Sequence, residues 1–547
     1  MGQTLRPVIA LAIALAFLGP LVLGLGGTLA SALGWFPGSL AGMRLFDDPR
    51  WWPATQHTLW TGLASTALAL GLTLAAVVVW WGRSSLVRVQ RLLPAFLAVP
   101  HAALAVGLVF LLAPSGWWAR LLAPVLEWSR PSDAWVVPDA HGISLILGLA
   151  LKEFPFLLLT ALAYLPRLQP NLHLAQGRLL GYAPGQVWMR VLFPPLMRMM
   201  RLPLAVVLAY NLTVVDMALI LGPGQPPTLA VWVVEYFYQA GGRAQASVAA
   251  LYLLGVLLLG FALAECLYRL SGWLLRPART NGRRRPSRPW IARSIGILVW
   301  WVLVTAAMAL ASLLVWSLSQ RWRFPDIWPS QWTERFWLGR WSDWAPLLEN
   351  SLGLALVSSL LALASAVAWL ELERHRQVPK LDALWYLPLF LPQVCVLLGW
   401  QAAALLAGAD GAWITLVWAH WMYAMPYALL MLASPWRALD PEWDRQARLL
   451  GAGYFKRLFR VRLGLLLRPV LTAWAVAMAV SIAQYLPTLL LGAGRHPTLT
   501  TELVTSFGGV DRRVIGTLAS LQMLLPALAF ALALLLPAWL YRNRRHA

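Results

Sequence analysis

Twelve long apolar runs limit this chain to very few architectures. They lie roughly at 8–30, 57–81, 92–113, 143–165, 202–221 and 246–269, then at 291–317, 350–370, 384–407, 412–433, 467–491 and 515–540. A helix needs roughly 20 apolar residues to cross a bilayer, and each run comes close to that. The runs are continuously apolar rather than alternating, which excludes a barrel of tilted strands. In hydrocarbon every backbone N–H and C=O must be paired within its own segment, so the expected fold is all-α. Composition agrees: 60% of the 547 residues are hydrophobic and only 12% are charged, against about 25% charged in soluble domains. Tryptophans gather at run ends (Trp51, Trp52, Trp80, Trp81, Trp117, Trp118, Trp300, Trp301), where an interfacial aromatic belt is expected.

The net charge of +22 reads as membrane orientation rather than nucleic-acid binding, because the arginines cluster in short segments between runs. With the N-terminus inside, 31 Lys and Arg fall in inner segments and 12 in outer ones, while Lys152 lies within a span. That asymmetry predicts both termini on the cytoplasmic side. Cys266 and Cys395 lie in apolar runs without metal-ligand spacing and read as packing residues. The first run, with Ala30-Ser31-Ala32 after it, has some features of a signal peptide. Its length favours an uncleaved span. Two outer stretches rich in Trp (Trp51-Trp52; Trp328, Trp332, Trp337, Trp341, Trp344) are expected as interfacial helices.

An internal repeat organises the runs. Gln176-Gly177-Arg178-Leu179-Leu180-Gly181 matches Gln446-Ala447-Arg448-Leu449-Leu450-Gly451, 270 residues later. The offset also pairs Leu221-Gly222-Pro223-Gly224 with Leu491-Gly492-Ala493-Gly494, and Thr228-Leu229 with Thr498-Leu499. The chain therefore divides into a first half at 1–275, an Arg/Pro-rich linker at 276–293 and a second half at 294–547. Six spans per half give both halves the same orientation, a parallel repeat. Each copy of the motif sits in a basic inner segment, at 170–195 and 441–464. Leu172, Ala175, Leu179 and Leu180 fall at helical spacing, as do Trp443, Ala447 and Leu450. Gly181 and Gly451 then permit a sharp turn. The predicted shape is a helix, a glycine turn and a second short helix leading into the next span.

This shape resembles the EAA loop of permease subunits in binding-protein-dependent ABC importers. Gly181 and Gly451 match the family glycine, and Gln176-Gly177 and Gln446-Ala447 occupy the Ala-Ala places. Phe193-Pro194 resembles the Leu-Pro end of the motif, where the second half has Leu463-Gly464. The motif glutamate is absent: Ala175 and Arg445 stand in its place. Two fused six-span halves are similar to iron(III)- and thiamine-type importer permeases. The run Gln484-Tyr485-Leu486-Pro487-Thr488, with Thr498-Leu499-Thr500-Thr501-Glu502, most resembles a little-characterised thiamine-transport-like group.

The resemblance implies an inner-membrane transport subunit, not an enzyme. Its partners would be an ABC ATPase dimer, a periplasmic solute-binding protein and membrane lipid. It implies that Gln176, Gly177, Arg178 and Gly181, with Gln446, Ala447, Arg448 and Gly451, couple to the ATPases. No G-x-x-x-x-G-K-[ST] phosphate loop is present, so no cofactor is expected in this chain and ATP would be bound by partner subunits. No catalytic or metal-ligand cluster is expected. A secondary transporter with parallel six-span repeats is the alternative.

Charge within spans marks a second set of residues. Lys152, Glu153 and Asp216 lie inside runs, where a charge costs about 2.5–3.5 kcal/mol on insertion scales. They are expected to line a translocation path or to pair with one another. An offset of 271, aligning Pro155 with Pro426, places Tyr423 and Ala424 opposite Lys152 and Glu153, and the offset of 270 places Leu486 opposite Asp216. The second half offers Tyr423, Gln484 and Tyr485 as pathway candidates. His420 reads as a packed or hydrogen-bonded residue. Acids on one wall and aromatics on the other would suit an organic cation. Pro155 and Pro426 are candidate kinks.

Overall fold

The computed structural model describes residues 5–35, 46–132, 137–284, 289–375, 378 and 380–541. Linker residues Arg285 and Arg288 and the basic cluster at 542–545 lie outside the described residues. The first half builds α1 (Leu5–Ala32), α2 (Trp51–Trp80), α3 (Ser84–Ala98), α4 (His101–Leu112), α5 (Ile143–Tyr164), α6 (Pro170–Leu179) and α7 (Pro184–Val187). It continues with α8 (Arg201–Thr213), α9 (Asp216–Leu221), α10 (Leu229–Tyr238), α11 (Arg243–Leu274) and a short linker helix, α12 (Arg276–Thr280). The second half builds α13 (Pro289–Leu318), α14 (Trp341–Arg374), α15 (Gln393–Leu406), α16 (Trp413–Ala438), α17 (Pro441–Leu449) and α18 (Tyr454–Lys456). It ends with α19 (Leu467–Ala483), α20 (Leu486–Gly492), α21 (Leu499–Ser506) and α22 (Arg512–Leu540). Among the described residues the only strands are the pair Ser319–Arg321 and Gln331–Trp332. The protein is an all-α polytopic membrane protein with an internal repeat.

Nine described helices are long and apolar enough to cross a membrane, or eleven if each of two bent helix pairs is one span. Twelve uninterrupted spans are therefore not what forms. The run expected at 384–407 yields only the 14 residues of α15, because Pro388 and Pro392 lack the N–H that a continuing helix requires. The run at 92–113 is split at Val99-Pro100, between α3 and α4. The fifth span of each half is also broken. After α8, Val214 (φ −64°, ψ 138°) and Val215 (φ −114°, ψ −51°) leave the helix before α9 begins. After α19, Gln484 (φ −69°, ψ 118°) and Tyr485 (φ −96°, ψ −61°) do the same before α20. Both breaks fall within apolar runs, so hydropathy does not register them.

A short helix follows each broken span, and its first amide is tied to the second span of its half. Leu229 N donates to Thr58 Oγ1 in α2 (2.9 Å), and Leu499 N donates to Ser351 Oγ in α14 (2.9 Å). The Trp-rich stretches expected as interfacial helices do not form them: Trp51 and Trp341 begin the long helices α2 and α14, and Trp332 lies in the short strand pair.

The compact units do not coincide with the sequence halves. One comprises Met1–Leu40, Ala98–Ala102 and Glu334–Ala547; the other comprises Ala41–Leu97 and Ala103–Thr333. Each half thus gives its first long helix to the other unit. In one, α1 packs on α15 through small residues: a Cβ on Gly24, Gly27 or Gly399 would collide with the facing backbone. Thr28 Oγ1 donates to Cys395 O (2.8 Å) and accepts from Gly399 N (2.9 Å). In the other, α13 meets α4 in the same manner, with Ser312 Oγ donating to Gly107 O (3.1 Å). Close backbone approach at small residues is how helices associate where no water drives them together.

Candidate functional site

The two basic loops share one backbone plan. Gly181, which ends α6, and Gly451, which ends α17, both take φ +77°. Only glycine adopts this left-handed region without a steric penalty. In the first loop Tyr182 N reaches back to Gly177 O (2.8 Å) and Gly181 N to Arg178 O (3.0 Å). In the second, Ala452 N reaches Ala447 O (3.0 Å) and Gly451 N reaches Arg448 O (3.0 Å). These paired bonds are a Schellman closure. A short helix follows in each loop, then a π-helical turn, Trp188–Leu192 or Arg457–Arg462. The chain then bends by 64° in the first half and 82° in the second as it enters the broken span.

The expected apolar faces point outward. Leu179 and Leu180 are 89% and 59% exposed, and Leu449 and Leu450 are 80% and 87% exposed. Gln176 and Arg178, like Gln446 and Arg448, are exposed beside them. Leucine pairs this open, at matched places in two loops, have the character of a contact surface.

What holds each loop differs. In the first, α6 rests on α7 at Gly177, where a Cβ would run into Val187. Behind it Trp188 is buried with Leu192, Leu165 and Trp80. Trp81 meets Trp188 edge-on (6.0 Å between centroids), and its Nε1 donates to Asn171 Oδ1 (2.8 Å). In the second loop an ionic network takes this place. Arg462, 1% exposed, donates to Glu371 at the end of α14 and to Asp444 Oδ1 of α17 (2.7 Å). Tyr454 O–H also donates to Glu371 (3.1 Å), and Arg457 Nη1 donates to Ala452 O (2.7 Å). Burial pushes the Asp444 carboxyl up, but the hydrogen bond from Arg462 and the charges of Arg462 and Arg457 outweigh it and hold it below its ordinary value. The network therefore keeps Asp444 ionised to a lower pH than a free aspartate would be.

The in-span candidates fall in two groups. Lys152 Nζ donates to Leu97 O (3.1 Å) and Phe96 O (3.5 Å), carbonyls that α3 frees as it breaks. Asp216 opens α9 just after the first break and accepts from Tyr210 O–H (3.4 Å). Glu153 is buried beside Lys152 in α5. In the second half, Gln484 and Tyr485 form the break itself. Gln484 Nε2 donates to His420 O (3.2 Å), while Gln484 Oε1 and the Tyr423 hydroxyl are buried without a hydrogen-bond partner. The His420 ring nitrogens sit 2.8 Å from Ser481 Oγ and 2.9 Å from Thr488 Oγ1, as a hydrogen-bonded core histidine does.

Known proteins identify the arrangement. A family model described as "Binding-protein-dependent transport system inner membrane component" matches residues 375–544, a stretch that contains the second loop. "Inner membrane ABC transporter permease protein YnjC" of Escherichia coli is 33% identical over 500 residues, spanning 90% of this chain and 90% of that protein. The chain belongs to the binding-protein-dependent ABC transporter permeases. The permease is also similar to "Putative 2-aminoethylphosphonate transport system permease protein PhnV" of Salmonella typhimurium, 29% identical over 238 residues, which are 41% of the permease and 85% of that relative. The permease is a multi-pass inner-membrane protein, and membership in this family displaces the secondary-transporter alternative.

Three residues that tie the second loop of the permease escaped the sequence reading: Glu371, Asp444 and Arg462. Each lies in a stretch of mixed or basic charge that looks like an ordinary solvated surface. Their one signal is Glu371, an acid close behind an apolar run. Asp444 lies one position before Arg445, which stands at the place of the motif glutamate, and it is bound to Arg462 within the chain.

Proposed function

We propose that the permease forms the translocation path of an importer, that its two loops dock an ATPase pair on the cytoplasmic side, and that a periplasmic binding protein delivers the solute. The observation that carries this reading is the duplicated closure. Two loops at a constant offset end in the same φ +77° glycine and present the same exposed Leu-Leu pair. An ATPase dimer offers two equivalent grooves, and a chain with two equivalent knobs fits it alone. ATP-driven approach of the ATPases would draw the loops together. Because each loop runs through a bent π-helical segment into a broken span, its displacement would be passed to the residues at the break. The excess of Lys and Arg in the loops supports their cytoplasmic placement and that of both termini.

The path residues in this reading are Lys152, Glu153, Asp216, Tyr423, Gln484 and Tyr485. Lys152 secures the end of α3. Asp216 and Gln484 sit where backbone regularity is lost, the usual place for solute contacts in membrane helices. An organic cation is the substrate class that acids together with tyrosines favour.

The test uses exposed side chains, so that folding is not at stake. Leu179→Glu with Leu449→Glu should abolish co-purification of the cognate ATPase and solute uptake while leaving expression intact. Retention of both activities would sink the docking assignment. Asp216→Asn with normal expression should reduce uptake, and unchanged uptake removes Asp216 from the path.

A further inference from the structure

The linker between the halves does not hang free of the loops. Three side chains of the first loop converge on three consecutive linker residues. Tyr182 O–H donates to Gly282 O (3.2 Å), Gln186 Nε2 donates to Arg283 O (3.0 Å), and Arg190 donates to Asn281 Oδ1 (2.8 Å) and Arg283 O (3.0 Å). Arg190 and Arg284 both lie over the Tyr182 ring, at 5.2 and 5.9 Å. The Arg284 side chain passes the turn itself, 3.3 Å from where a Cβ on Gly181 would stand. That turn directly follows the exposed Leu179 and Leu180.

The second loop keeps only one of the three donors, Arg460 at the place of Arg190. At the repeat offset Tyr182 becomes Ala452, which has no hydroxyl, and Gln186 becomes Lys456. The charge also differs. The first loop, 170–195, and the strap, 276–284, contain arginines and no Asp or Glu, whereas the second loop contains Glu442 and Asp444. A body seated on Leu179 and Leu180 therefore meets Arg284 at the edge of its footprint and a wholly basic surround.

We propose that linker residues 281–284 are part of the first ATPase-docking surface, with Arg284 placed to contact a carboxylate of the docked ATPase. The inference rests on the docking role proposed above and adds that the two docking sites are unequal. The first is a composite of loop and linker; among the described residues the second loop receives from the segment after α22 only the Tyr541 hydroxyl, on Gly464 O (2.8 Å).

A benzophenone amino acid at Leu179, Leu449 or Arg284, in the full-length permease assembled with its ATPase in membranes, tests it. The expected result is an ATPase adduct from all three positions. Adducts from Leu179 and Leu449 but none from Arg284, or an Arg284 adduct with lipid only, overturn the composite site and leave docking intact. No ATPase adduct from either leucine overturns the docking role itself, and the composite site with it. Charge reversal gives a second readout. Exposed ion pairs are worth little singly, so Arg284→Glu should weaken ATPase retention roughly 3- to 10-fold at low salt, with the difference fading as salt screens it. Equal retention at low salt would rule out a carboxylate partner at Arg284.

Discussion

The two loops have one backbone and two interiors. Both close on glycine at φ +77° and expose paired leucines. Yet the first is held by a glycine–valine contact and buried tryptophans, the second by a buried arginine between two carboxylates. At the repeat offset Arg462 stands where Leu192 stands, Arg457 where Val187 stands, and Asp444 where Leu174 stands. On the docking role proposed above, the outward shape is the part that a partner would touch, and it is the part kept in both. The inner face answers only to the helix it rests on, and α14 carries Glu371 in its last turn where α2 ends in Trp80, followed by Trp81. Supporting chemistry can diverge completely while the presented surface does not.

The contrast breaks most sharply at Arg462. Removing one partner of a buried ion pair leaves the other charge uncompensated, at about 3–5 kcal/mol. Arg462→Ala should therefore release α17, lower the thermal midpoint markedly and abolish ATPase retention at the second loop. Leu192→Ala in the first loop leaves an apolar cavity, and the loss should be smaller, about 2–4 kcal/mol. Equal losses would mean that the ionic network is no more than spacing material.

Gly177 and Ala447 occupy the same motif position, and the ties predict opposite tolerance. Gly177→Ala drives a methyl into Val187 and should destabilise the first loop by about 1–3 kcal/mol, the usual penalty of overpacking. Ala447→Gly only loosens a helix, at about 0.5–1 kcal/mol. Thermal unfolding of the two variants checks the ordering, and a Gly177→Ala protein as stable as the parent would show that α6 does not rest on α7.

Much of this was legible beforehand, and the gaps have physical causes. Gly181 and Gly451 announce their turns because few other residues accept that φ. The apolar runs announce membrane helices, but Val214-Val215 is as apolar as its neighbours, so its backbone break is invisible to hydropathy. The exchange of α1 and α13 between units is equally hidden: period and composition say that a face is buried, never against which helix. Gly24, Gly27 and Gly399, with Gly107 at the α13 contact, are its trace. Lys152 announces itself as a charge within a run, but its bonds to the carbonyls of Phe96 and Leu97 could not be foreseen, because those acceptors exist only where α3 ends. Arg462 was hidden by company, one basic residue among eight in its segment.

A smaller effect probes the aromatic side. Trp81→Phe keeps the ring but removes the Nε1 donor to Asn171, a bond worth about 0.5–1.5 kcal/mol. Hydrogen exchange should rise modestly at the start of α6 and stay unchanged in α17. A rise in both helices would contradict separate ties.

The smallest expected difference is one of pH. The Asp444 carboxyl is held below its ordinary value of 3.8. A depressed acid contributes its stabilisation fully above that value and loses it as pH falls through the folded-state value beneath it. Between pH 8 and pH 5 the second loop should therefore show constant exchange protection. Below about 3.8 the peptide carrying Asp444 should lose protection as the carboxylate is neutralised and its bond to Arg462 weakens. The first loop, 170–195, carries no Asp or Glu, and its glycine–valine contact has no proton to gain. Its protection, corrected for the intrinsic rate, should hold through the same window. Loss in parallel would mean that acid acts on the membrane core common to both loops, and that the ionic tie to Arg462 is not what fixes α17.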